Sequence, residues 1–126
     1  MSGIKKIGVY GGTFDPPHRA HLKIIRESLF QLELDRLYVV VSGDPWMKGG
    51  RVVASKHQRQ EMVESSLRGC KKVCLLKFEI NKENRIFKGQ KITAFAGIAY
   101  PEKFYQSLEE QGAKIVEEVS YPDHYI

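Results

Sequence analysis

The sequence predicts an α/β protein. Short runs rich in β-branched and aromatic residues alternate with segments whose apolar residues recur at helical spacing, and this alternation indicates βαβ units with parallel strands. One of the short runs is apolar at every position, as strands covered on both faces are. A length of 126 residues suits one domain. We therefore expect a single three-layer domain, Rossmann-like, with a mostly parallel sheet and helices on both faces.

The first strand and the first helix come from the N-terminal quarter of the chain. Residues 4–10 (I-K-K-I-G-V-Y) form a short strand-like run that ends at Gly11-Gly12. Pro17 suits the first turn of a helix, which we predict from His18 to about Leu32. The apolar residues of this segment recur at helical spacing: Ala20, Ile24, Ile25, Leu29 and Leu32.

Two further strands flank a second helix. The fully apolar run L-Y-V-V-V, residues 37–41, predicts a buried strand. Ser55 is a suitable N-cap for a helix that continues to about Leu67, and Gly69 lies just past its end. Residues 73–78 predict the third strand.

The second half of the chain adds one more βαβ unit. Its predicted elements are a strand over 92–96, a helix over 101–111 that stops at Gly112, and a strand over 114–119. The segment before them is charged and lacks periodicity, so we interpret it as a connector. The single domain 1–126 is thus divided into a βαβαβ half, a connector and a βαβ unit: 1–78, 79–90 and 91–126.

Composition and cysteine content indicate a cytoplasmic protein that does not enter a membrane. The hydrophobic fraction is 42% and the charged fraction 28%, both ordinary for a soluble domain. No apolar run approaches the length of a membrane span, and the N-terminus lacks the apolar core of a signal peptide. Cys70 and Cys74 have no Cys/His pair nearby, so we expect two small buried thiols rather than a disulfide or a zinc site.

The charge is unevenly distributed and suggests an anionic partner. The net charge is +5, and residues 1–75 hold 13 Lys and Arg against 7 Asp and Glu. The basic residues are scattered and are not interleaved with aromatic residues, which argues against a nucleic acid. A small polyphosphate is the partner we favour.

The loop between the first strand and the first helix carries the residues best suited to hold that polyphosphate. In open parallel sheets, ligands bind beyond the carboxyl ends of the strands. Gly11 and Gly12 let the backbone approach a ligand closely, and the following helix points free N–H groups at the same place. His18 and His21 are three residues apart and share a helix face, so both imidazoles can donate to phosphate oxygens.

Taken singly, each of these features has an ordinary structural explanation. A Gly-Gly pair is usually a turn, two histidines at this spacing are usually surface residues, and Asp15 suits a turn or a cap. A metal site is not predicted, because no glutamate of an H-E-x-x-H motif accompanies the histidines. Only the combination of the glycines, the helix start and the paired histidines indicates a polyphosphate site.

That combination resembles a known family. G-G-T-F-D-P-P-H-R-A-H-L is similar to the signature of nucleotidyltransferases with an H-x-G-H element, and most closely to bacterial nicotinate mononucleotide adenylyltransferases. Ala20 stands where the wider superfamily has Gly. The resemblance covers about residues 4–78 and continues in a second loop and helix, where the matching residues are Lys48, His57, Arg59 and Met62.

The resemblance implies transfer of AMP from ATP to nicotinate mononucleotide, with release of pyrophosphate. His18 and His21 would contact the triphosphate, and Lys48 would neutralise the leaving pyrophosphate. ATP and a small anionic mononucleotide are the implied partners, and Mg²⁺ would bridge the phosphates. The residues implied to line the nucleotide site are Gly11, Gly12, Thr13, Phe14, Asp15 and Arg59.

The second half departs from that family. A Ser-(Ser/Thr)-Thr-x-x-Arg element that grips the triphosphate in the family occurs nowhere in this sequence. Residues 88–126 instead resemble the C-terminal part of the lipid A 4′-kinases, through Ala96 to Phe104 and Asp123-His124. That family's P-loop is absent, so we do not expect a lipid kinase. We interpret the chain as a chimera of the two families.

Three functions remain open. The first is a nicotinate mononucleotide adenylyltransferase whose activity is impaired by the missing element. The second is a catalytically inactive scaffold with at most weak nucleotide binding. The third is a related transferase with another acceptor, such as phosphopantetheine or glycerol phosphate.

Overall fold

A computed structural model describes residues 6–12, 14, 19–41, 55–76, 86–97 and 101–120 of the chain. Within them, the predicted order of strands and helices is confirmed. The elements are β1 (Ile7–Gly12), α1 (Arg19–Gln31), β2 (Arg36–Val41), α2 (Lys56–Ser66), β3 (Val73–Leu76), β4 (Lys91–Gly97), α3 (Pro101–Glu110) and β5 (Lys114–Ser120).

The five strands form one sheet in the order β3-β2-β1-β4-β5. All four neighbouring pairs are parallel, so the sheet is parallel throughout the described residues rather than mostly so. The chain builds outward from β1 to β3 and then returns to place β4 on the other side of β1. Gly12 at the end of β1 is level with Val41 of β2 and with Gly97 of β4.

The helices cover both faces of the sheet, as predicted. Strand side chains alternate between the two faces of the sheet, and each face carries its own hydrophobic cluster. Val9 and Tyr10 of β1 therefore belong to different clusters. On the α1/α2 face, buried strand residues pack with Ile25 of α1 and Val63 of α2. On the α3 face, they pack with Tyr105 and Leu108 of α3. This is the three-layer α/β arrangement that the sequence predicts.

The first strand lies further along the chain than predicted. We placed it at residues 4–10, whereas β1 is Ile7–Gly12 and therefore includes both glycines. Residues 77 and 78, which we predicted to end the third strand, lie outside the described residues, as do residues 79–85 of the predicted connector. The described end of the connector is a turn in which Phe87 is 1% exposed, so this part belongs to the core.

Phe87 is held by contacts from two elements. Its ring lies 5.2 Å from that of Tyr38, and its N–H donates a hydrogen bond of 3.1 Å to Oε1 of the buried Gln111. One apolar aromatic residue in an otherwise charged run was the signal that the connector interpretation overlooked.

The cysteines are both free, and Cys74 corrects our expectation of burial. Cys70 is half-buried, whereas Cys74 is exposed on β3, an edge strand of the sheet. No helix within the described parts of the chain has the length and apolar character needed to cross a membrane.

Helices α1 and α3 end in the same way on different residues. After α3, Gly112 has a φ of 98°, and the N–H of Ala113 donates to the carbonyl of Leu108 at 3.1 Å. After α1, Glu33 has a φ of 51°, and the N–H of Leu34 donates to the carbonyl of Leu29 at 3.1 Å. Both are Schellman motifs, which place a left-handed residue after the helix. Gly112 is the predicted stop, and Glu33 occupies a position that favours glycine.

This pair predicts opposite effects of two substitutions. The left-handed conformation costs a residue with a side chain roughly 1–2 kcal/mol, and glycine avoids this steric cost. Glycine also loses more backbone entropy on folding, which offsets part of that advantage. We expect Glu33→Gly to raise the free energy of unfolding by about 0.5–1 kcal/mol. We expect Gly112→Ala to lower it by at least about 1 kcal/mol. Urea titrations followed by circular dichroism measure both, and equal signs for the two variants would contradict the assignment.

Candidate active site at the carboxyl edge of the sheet

The candidate site lies where β1 and β4 end side by side. The chain leaves β1 toward β2 and leaves β4 toward β5, in opposite directions across the sheet. This reversal is the topological switch point at which open α/β sheets bind ligands. Each of the three described helices comes after a strand in chain order, so their first turns, with their backbone N–H groups, lie at this edge. The edge is electrostatically suited to an anion.

The two glycines at the end of β1 make room for phenyl rings. We predicted a turn that lets the backbone approach a ligand, but both residues are extended members of the strand. A Cβ on Gly11 would lie 2.8 Å from the ring of Phe104, which comes from the first turn of α3. A Cβ on Gly12 would lie 2.8 Å from the ring of Phe14. Each glycine therefore admits one ring, on opposite faces of the sheet.

Phe14, rather than either glycine, has the left-handed backbone conformation that a sharp turn requires. Its φ is 54°, a left-handed conformation that costs a phenylalanine on the order of 1 kcal/mol. The side chain is 1% exposed, and its ring meets that of Tyr10 edge-on, with centroids 5.5 Å apart. Burial against the α1/α2 face offsets the backbone strain.

His21 is the predicted catalytic residue that the structure describes. It is the third residue of α1 and is half-buried. Its ring packs against Phe14 with centroids 4.8 Å apart and planes at 65°. The imidazole therefore lies in the first helical turn, close to the end of β1. This position places the ring at the edge where the backbone N–H groups of the helix begin.

Gly97 is a site residue that the sequence analysis missed. It ends β4 directly beside Gly12. Among the described residues, a Cβ there would approach only Tyr10, at 3.5 Å from Oη and 3.8 Å from Cε1, which is ordinary contact. Within the described part of the chain, no ring fills the space beside Gly97, whereas the ring of Phe14 fills the space beside Gly12. The signal was the pair of small residues, Ala96 and Gly97, at the end of a predicted strand, but their role becomes visible only when β4 lies next to β1.

The start of α2 places Arg59 beneath the surface. Ser55 caps the helix as predicted, in a capping box with Gln58. Arg59 is 0% exposed, whereas His57 points to solvent with its Nε2 3.6 Å from Oε2 of Glu61. Contact between Arg59 and a nucleotide would require its side chain to become exposed. Its predicted role stays a prediction.

The structure brings together four of the nine predicted site residues. These are Gly11, Gly12, Phe14 and His21, and Arg59 lies on a neighbouring helix start. Thr13, Asp15, His18 and Lys48 lie outside the described residues. Within the described segments, no three His, Cys, Asp or Glu side chains group closely enough to hold a metal ion.

Comparison with protein families finds one match over most of the chain. The Cytidylyltransferase-like family matches residues 9–120, which include strands from both halves. The match therefore spans the connector and the unit that we compared with lipid A 4′-kinases. One family accounts for the fold of both halves, and the chimeric origin of the second half stays a prediction.

Curated relatives carry a more specific name. A "Probable nicotinate-nucleotide adenylyltransferase" of Clostridium botulinum is 40% identical over 80 residues, which are 64% of this chain and 40% of that protein. A protein of the same name from Bacillus pumilus is 42% identical over 64 residues, which are 51% of this chain and 34% of that protein. The chain thus spans between about a third and two fifths of the length of these curated relatives.

Two neighbouring glycines provide a matched test of the site's packing. We expect Gly12→Ala to lower the free energy of unfolding by about 1–3 kcal/mol, because the new methyl overlaps the ring of Phe14. We expect Gly97→Ala to be neutral or to stabilise by up to about 1 kcal/mol, because its methyl finds ordinary contact and the unfolded chain loses freedom. Chemical unfolding of both variants measures this. Equal losses would show that Gly12 is not required for ring packing.

Proposed function

The chain belongs to the cytidylyltransferase-like family, and on this premise we propose that it transfers AMP from ATP to nicotinate mononucleotide with release of pyrophosphate. The observation that carries the proposal is the first-turn imidazole of His21 beside a glycine-ended strand at the switch point of the sheet. The names of the curated relatives support the choice of substrates.

The reaction requires no nucleophile from the protein. A phosphate oxygen of nicotinate mononucleotide attacks the α-phosphorus of ATP, and a new P–O–P linkage forms. The bond between the α-phosphorus and the oxygen bridging it to the β-phosphorus breaks, and pyrophosphate leaves with that electron pair. Catalysis then consists of positioning the reactants and stabilising charge on the phosphate oxygens.

The residues of this chain supply hydrogen-bond donors for that charge. The backbone N–H groups at the start of α1 and the ring of His21 lie at one edge, where the triphosphate would be held. By the family resemblance, His18 would share the phosphate contacts and Lys48 would neutralise the departing pyrophosphate. ATP would enter as its magnesium complex, in which Mg²⁺ is bound by phosphate oxygens and water.

One specific observation favours a second candidate, a folded scaffold with weak nucleotide binding. The 126 residues contain no Ser-(Ser/Thr)-Thr-x-x-Arg run, which grips the triphosphate in the family that the first half resembles. Loss of one such electrostatic donor commonly lowers a rate on the order of 100-fold. We therefore expect measurable but weak ATP binding and slow turnover by this chain.

His21 is the residue whose removal tests the proposal most directly. We expect His21→Ala to lower pyrophosphate release from ATP and nicotinate mononucleotide by on the order of 100-fold, because a donor to the developing charge is lost. The measurement is a coupled pyrophosphate assay, with isothermal titration of ATP alongside.

Phe30→Ala is the matched control for that variant. Phe30 lies near the far end of the same helix and is 84% exposed, so its removal should leave the rate unchanged. A rate equal to wild type in His21→Ala would refute the role of the imidazole. ATP binding without any pyrophosphate release by the wild type would favour the scaffold.

The choice of substrates gives a separate prediction. With nicotinate mononucleotide as acceptor, we expect ATP to be used in preference to CTP by roughly tenfold or more, since a pocket that hydrogen-bonds one base rejects another. Steady-state kcat/KM for the two nucleotides measures this. Faster reaction with CTP, or with phosphopantetheine or glycerol phosphate as acceptor, would replace the proposed reaction with another of the same class.

A further inference from the structure

We infer that Phe14 is a positioning residue for His21: its buried ring sets the orientation of the imidazole at the carboxyl edge of the sheet. The inference rests on the proposed function, because it assigns the imidazole a phosphate to face. It goes beyond that function, because the Phe14 side chain would act on the reaction through His21 and not through substrate.

Phe14 connects His21 to the centre of the α1/α2 face through a series of rings. Phe95 of β4 meets Tyr10 of β1 at 6.4 Å, Tyr10 meets Phe14 at 5.5 Å, and Phe14 meets His21 at 4.8 Å, all edge-on. Phe95, Tyr10 and Phe14 are each 1% exposed. Edge-on contacts of this kind are directional, so each ring limits the tilt of the next.

The place of the Phe14 ring is fixed from two further sides. From the strand, the ring occupies the space where a Cβ on Gly12 would lie, at 2.8 Å, so it rests on bare backbone. Along the chain, a φ of 54° aims the side chain inward, a conformation phenylalanine adopts only when its surroundings hold it.

His21 is half-buried in the first turn of a helix, and the ring of Phe14 is one of the groups that it contacts. An imidazole there has rotational freedom about two side-chain bonds, and a misdirected ring donates its N–H away from the phosphate. A displacement of about 1 Å at a reacting centre can lower a rate on the order of 100-fold. A rigid phenyl ring beside the imidazole removes part of that freedom before substrate binds.

The test combines a spectroscopic measurement with a double-mutant cycle. In the wild type, the ring current of Phe14 should displace the proton resonances of the His21 ring from their unstructured positions, and Phe14→Leu should abolish the displacement. Phe30→Leu, the same change at an 84% exposed site, should leave those resonances where they are. This measurement requires no activity.

The cycle separates positioning from a general loss of structure. We expect Phe14→Leu to lower kcat about tenfold or more, with a smaller effect on the KM for ATP. In the His21→Ala background, the same substitution should change kcat less than about twofold, because the ring then has nothing to orient. Equal factors in both backgrounds would overturn the inference and leave Phe14 a core residue.

Two further outcomes are distinguishable. If Phe14→Leu does not fold at the assay temperature, Gly12→Ala is the second variant, because its new methyl displaces the Phe14 ring from the side of β1. It should move the His21 resonances, and resonances that stay in place would overturn the inference. If the wild type transfers no nucleotide, the proposed function fails, and the His21 resonances alone decide the positioning. Whether or not the wild type is active, His21 resonances that do not move in Phe14→Leu would refute the positioning role of Phe14.

Discussion

The absence of side chains at the end of β1 is the constraint on which the site depends. Gly11 and Gly12 lie in the strand, and each leaves a space that a phenyl ring fills, one from each face of the sheet. The ring on one face belongs to Phe104 in the first turn of α3, and the ring on the other belongs to Phe14, which packs against His21 in the first turn of α1. The end of the strand and both helix starts are therefore connected through these two rings. A site for a polyphosphate requires this rigidity, since its catalysis depends on positioning.

Much of the fold could be predicted because its signals are local. Apolar periodicity, Ser55 before α2 and Gly112 after α3 each report on a few neighbouring residues, and the order of elements follows from them. Glu33 shows where local signals fail. It ends α1 in a conformation that favours glycine, so no residue type marks that end. The hydrogen bonds of Leu34 and Glu33 to the preceding turn hold it there.

The candidate site was predicted only in part, because its residues meet through the order of the strands. The sequence indicates the glycines and His21, which are close along the chain. It does not indicate Gly97 or Phe104, whose roles arise when β4 pairs with β1. Arg59 illustrates the same limit: a charge on a helix is normally solvated, yet this one is fully buried. Burial is a property of packing between elements, which periodicity alone does not specify.

The second half of the chain is therefore a structural part of the site, whatever the origin of its sequence. β4 pairs with every residue of β1 and brings Gly97 level with Gly12. α3 places Phe104 against Gly11, and a chain that ended at β3 would leave that face of β1 uncovered. A unit joined at random would have to match both the register of β1 and the space at Gly11. The two halves satisfy both conditions, so they share one core and one edge at which an anion can bind.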